Sequence, residues 1–73
     1  MNDDVEAEDA EAPVRARLAV AQQEHADLDV AVQAMAMAPV PDMMAIGRLK
    51  RKKLALKDEI ARLKDQLTPD IIA

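Results

Sequence analysis

The chain has 73 residues, a formal net charge of −4, no cysteine and no aromatic residue. That length allows one small domain with a thin core. The missing residue types exclude disulfides, iron–sulfur clusters and thiol-rich zinc sites, and remove aromatic cages and base-stacking platforms.

Residues 1–12 carry six acids and no base. With so little to bury, this stretch is expected to be a disordered acidic tail. It lacks the apolar region of a secretory signal, and no apolar run in the chain approaches the roughly 20 residues of a membrane span. The expectation is a soluble, cytoplasmic protein with no membrane partner.

Pro13 suits the first turn of a helix. From there Val14, Leu18, Ala21, His25, Leu28, Val32 and Met35 recur at alternating steps of four and three, the seam of a coiled coil. The spacing predicts a helix over 13–37. Val20, Val30 and Met37 fall off the seam, either as scattered surface apolars or as a weaker face for self-association.

Pro39 and Pro41 break the pattern and predict a turn over 38–42. Met35, Met37, Met43 and Met44 surround it. Their flexible side chains are expected to fill the end of the hairpin, with a methionine-based copper site or an adaptable binding tip as alternatives.

A second helix is predicted over 43–67, capped by Asp42 and ended before Pro69. Its seam is Ile46, Leu49, Lys53, Leu56, Ile60, Leu63 and Leu67. Asp58 and Arg62 stand four apart with the acid first, the favourable order for a helical ion pair. Residues 43–67 hold eight bases and three acids, a local +5. Residues 69–73 are expected to be a short, frayed C-terminal tail, with Ile71 and Ile72 folding back over the open end or docking on a second copy as alternatives.

The two seams fit one another. An antiparallel hairpin over 13–68 pairs positions whose numbers add to about 81, giving layers Met35–Ile46, Val32–Leu49, Leu28–Lys53, His25–Leu56, Ala21–Ile60, Leu18–Leu63 and Val14–Leu67. On the flanks Arg17 faces Glu59, Glu24 faces Lys52 and Asp29 faces Lys50, while Arg15 opposes Lys64. The expected fold is therefore all-α, an antiparallel, coiled-coil-like two-helix hairpin.

The residues His25-x-x-Leu28-Asp29, together with Leu49-Lys50-x-x-Lys53-Leu54-x-Leu56-Lys57-Asp58-Glu59-Ile60, resemble the YdcH-like family of short bacterial proteins, a domain of unknown function. The resemblance covers about residues 15–67. It implies a helical hairpin and no assigned activity.

No residue set has the pattern of a catalytic, cofactor or metal site. Thr68 is the one Ser/Thr hydroxyl and His25 the one histidine, so nucleophilic catalysis and metal ligation both lack partners. His25, Asp29 and Lys53 are read as a structural polar patch that fixes the register of the seam. Arg48, Lys50, Arg51, Lys52 and Lys57 are candidate nucleic-acid contacts, although five near-consecutive positions spread around a helix and acids interrupt its outer face. The leading expectation is a non-enzymatic structural or interaction module that forms a dimer or larger oligomer, or binds a helical protein. The alternative is a nucleic-acid-binding accessory protein.

Overall fold

A computed structural model describes residues 10–67. The acidic stretch before Ala10 and the tail after Leu67 lie outside the described residues, as do the expectations attached to them. Two helices, α1 (Ala12–Ala36) and α2 (Met43–Leu67), pack side by side as the predicted antiparallel hairpin. Each has 25 residues and so is about 37 Å long at 1.5 Å per residue.

The helix ends follow from local chemistry. Pro13 occupies the first turn of α1, where its missing N–H has no intrahelical acceptor in any case. Glu11 stands at the N-cap, makes no side-chain capping bond, and reaches Arg15 one turn on at 3.3 Å. Pro39 stops α1, and the Met37 N–H closes the last turn on the carbonyls of Gln33 and Ala34. Asp42 starts α2, its Oδ1 accepting the Ala45 N–H at 3.0 Å while its carbonyl accepts the Ile46 N–H.

Every seam position predicted from the spacing is buried or half-buried. The buried core is Ala21, Val32, Ile46, Leu56 and Leu63, and Val14, Leu18, Leu28 and Ile60 pack against the cluster around Ala21. Among the described residues Ala21 is the one fully enclosed core side chain, at 0% exposure. A methyl group there lets the backbones approach, so that the larger α2 side chains close over it.

The methionines do not fill the end of the hairpin. Met37, Met43 and Met44 are exposed, and only Met35 is half-buried. Val32 and Ile46, at 7% and 3% exposure, already close the seam there and leave no gap for filler.

Gly47 lies inside α2, where a Cβ would meet nothing nearer than the Arg51 guanidinium at 3.8 Å, ordinary van der Waals contact. Its backbone has ordinary helical geometry, so the glycine costs helix stability without relieving a clash. Gly47→Ala should therefore stabilise the fold by about 0.5–1 kcal/mol. Thermal melts followed by circular dichroism should show a rise of several degrees; a fall would mean that α2 needs an open backbone at this position.

Candidate functional site

The seam has two flanks, and they differ in charge. On one flank, α1 presents Arg17 and Glu24 and α2 presents Lys52 and Glu59, a balanced set. Arg17 bridges the helices here. Its Nε and Nη2 donate to the two carboxylate oxygens of Glu59 at 2.6 and 2.7 Å, and Nη2 also approaches Glu24 at 3.9 Å. The fork geometry makes this the most directional polar contact between the helices. The hydrogen bonds and charge of Glu59 raise the Arg17 pKa, and the bond from Arg17 lowers that of Glu59 against the opposing effect of partial desolvation.

The other flank is basic. Positions spaced by seven place Lys50, Lys57 and Lys64 along α2, facing Arg15, Gln22 and Asp29 of α1. Arg15 is paired with Glu11, so Lys50, Lys57 and Lys64 share this side with Asp29 as the facing acid of α1. Asp29 bonds to the half-buried Lys53, Nζ to Oδ1 at 2.7 Å, and also accepts from the Gln33 amide at 3.3 Å. The Lys53 bond and charge lower the Asp29 pKa, and proximity to His25 adds a smaller effect in the same direction. A shallow groove of about 540 Å³ runs along this flank, with His25, Lys53, Lys57, Ile60 and Lys64 among its lining residues.

The structure thus brings Asp29 and Lys53 into a bond and sets His25 beside them in the seam. Among the described residues no hydrogen bond is made by the His25 ring, and no group of three or more His, Cys, Asp or Glu is arranged to hold a metal ion. The five candidate nucleic-acid contacts do not form one surface. Lys50 and Lys57 share the basic flank, Lys52 lines the opposite flank with Glu24 and Asp27, and Arg48 and Arg51 lie on the outer side of α2. Lys64, known from the sequence only as facing Arg15, and Gln22 belong to the basic groove and were not among the predicted site residues. The seven-residue repeat of Lys50, Lys57 and Lys64 was the signal that could have found them.

Several predicted flank pairs are replaced by others. Of the two lysines that could reach Asp29, Lys50 and Lys53, it is Lys53 that bonds, because the seam lysine must turn its head out of the apolar layer and Asp29 stands where it emerges. Glu24 lies near Arg17 rather than in ion-pair contact with Lys52. Arg15 turns back to Glu11, away from Lys64. Asp58 and Arg62 form no ion pair, and Arg62 instead acts on Glu59, one turn earlier.

Lys53 occupies an apolar layer opposite Leu28, and its partner Asp29 keeps 44% side-chain exposure. Removing the lysine therefore leaves a hydrated carboxylate and no stranded buried charge. Lys53→Leu should raise the melting temperature by several degrees, and light scattering should show more of the larger species. A lower melting temperature would show that the Lys53–Asp29 bond outweighs the apolar layer.

The lowered pKa values of Asp29 and Glu59 predict the sign of the acid response. Both groups hold their protons more weakly folded than unfolded, so their pairs add stability at neutral pH. That contribution starts to fall as pH drops through about 4 and is gone only below the depressed native values. Because both groups keep part of their surface in water, the effect is small and screened by salt. Melts of the natural chain and of a combined Asp29→Asn, Glu59→Gln variant, run from pH 6 to pH 2.5, should diverge at neutral pH and converge in acid. Parallel curves would show that neither pair contributes.

No helix among the described residues is long and apolar enough to cross a membrane. No curated protein and no solved structure matches the chain. A family profile described as "Protein of unknown function (DUF465)" matches residues 18–64, from the second seam position of α1 to the last turn of α2, and so takes in the buried core and the turn of the hairpin. The chain belongs to this DUF465 family.

Proposed function

We propose that the protein is a non-catalytic interaction module that pairs with a second copy through the outer face of α1. One observation carries this reading. The side of α1 turned away from α2 is mostly apolar, with Ala16, Ala19, Val20, Ala26, Val30, Ala34 and Met37 exposed, interrupted by Gln23 and Gln33 and by Asp27 as its one charge. A helix apolar on both faces is ordinarily covered on both. The outer face of α2, by contrast, carries Arg48, Arg51, Asp58, Arg62 and Asp65 and is at home in water.

The face is also self-complementary. Two α1 helices laid antiparallel about a two-fold axis near residue 25 would bring together positions whose numbers add to 50. Val20 then meets the partner's Val30, Ala16 meets the partner's Ala34, and Gln23 meets the partner's Asp27. Within one chain Gln23 already donates to Asp27 at 2.9 Å, so the charge nearest the axis has an amide to bond in either arrangement. Four helices around a shared core would result.

Support for a non-enzymatic role is the openness of the groove on the basic flank and the scarcity of nucleophiles in the sequence. Within its family we assign the chain to the YdcH-like proteins on the His25-x-x-Leu28-Asp29 motif and the Lys53 to Ile60 run, both inside the matched residues. The alternative, a nucleic-acid accessory role, has weaker support because its five candidate residues point in several directions.

Sedimentation equilibrium over a wide concentration range tests the proposal. The mass should rise from that of one 8.0 kDa chain toward twice that value. A Val20→Lys, Val30→Lys variant should stay monomeric with unchanged helical circular dichroism. A natural chain that remains monomeric at the highest concentration would overturn the reading, as would a variant that associates as well as the natural chain.

A further inference from the structure

We infer that the groove on the basic flank is a docking site for the acidic segment that precedes it in the same chain, residues 1–9. Three observations meet here. The first is charge. Lys50, Lys57 and Lys64 stand in one row about 10 Å apart, at seven residues and 1.5 Å each, and Lys53 and His25 line the same groove. Residues 1–9 supply Asp3, Asp4, Glu6, Glu8 and Asp9 with no base. The opposite flank, where Arg17 and Lys52 are matched by Glu24 and Glu59, has no such excess to attract them.

The second observation is position. Ala10, the first described residue, stands one turn ahead of Val14, and Val14 packs against the cluster that holds Leu63. The segment therefore joins the hairpin at its open end, within reach of Lys64. The third is length. Nine extended residues span about 30 Å, and the row from Lys64 back to Lys53 spans about 16 Å. The acids at 3–4, 6 and 8–9 recur every 7–10 Å along an extended chain, close to the spacing of the lysines. A segment laid in this groove runs parallel to α2, replaces solvent over Ile60 and the exposed Leu54, and neutralises the side of the molecule best suited to an outside polyanion.

Because the chain has no cysteine, Ala7→Cys creates a unique attachment point for a nitroxide without removing a charge. Amide spectra of the tagged full chain at low salt should lose intensity at Gln22, His25, Lys57 and Lys64 and keep it at Glu24, Asp27 and Lys52. The loss should disappear in 1 M salt and in a Lys57→Glu, Lys64→Glu background. Equal broadening of both flanks, or broadening confined to the first turn of α1, would overturn the inference. A mixture of tagged chain without isotope and untagged isotope-labelled chain separates the copies. Broadening seen in that mixture would also overturn it, since the segment would then be docking on a second molecule. The inference does not depend on pairing through the outer face of α1, because the groove lies on a flank that such pairing leaves open.

Discussion

The approach of the two helices at Ala21 is the constraint on which the rest of the molecule depends. A core one seam thick, built without an aromatic ring, gains stability only if the backbones come close enough for aliphatic side chains to interdigitate. Ala21 provides that proximity at the centre of α1, and Leu56, Ile60 and Leu63 of α2 close around it. The inter-helix ion pairs are consequences of this spacing. Arg17 reaches Glu59 with both arms of its guanidinium because the helices are already held at a fixed separation, and Lys53 reaches Asp29 because the packed layer leaves its ammonium group one way out.

The hairpin was legible in the sequence because apolar spacing, proline and helix capping act locally and agreed. Val14 to Met35 and Ile46 to Leu67 are two instances of one period, and Pro39 and Asp42 mark where the first stops and the second starts. The flanks were less legible for a physical reason. A long charged side chain can reach partners three or four residues away on its own helix as well as those across the seam, and in water the alternatives differ little in energy. So Arg15 turned to Glu11, and Glu24 approaches Arg17. The methionines misled because composition gives flexible apolar side chains but not the space available to them. Val32 and Ile46 had already taken it.

Once the hairpin is set, the chain divides its labour between two unlike helices. α2 is amphipathic and charged on its outer side, so one apolar stripe suffices for it. α1 is alanine-rich, with apolar side chains on both the seam and the outer face. The molecule thus has three distinct surfaces: a balanced flank fixed by the Arg17–Glu59 pair, a basic flank with an open groove, and a largely apolar helical face with Asp27 as its one charge.

The short turn around Pro39 and Pro41 also bears on how the chain finds its fold. Contacts across the seam are nested about that turn, so Met35 meets Ile46 after closing a loop of about ten residues, an event of 10–100 ns. Each further layer then closes a loop whose ends are already near one another, and helices with such low contact order fold in microseconds to milliseconds. Burial runs the same way: Val32 and Ile46 beside the turn are buried, whereas Val14 and Leu67 at the far end are half-exposed. Opening therefore starts at the end remote from the turn and travels toward it. The groove beside Lys64 is the first part of the molecule to feel that opening, and whatever binds there acts as a clasp on the whole zipper.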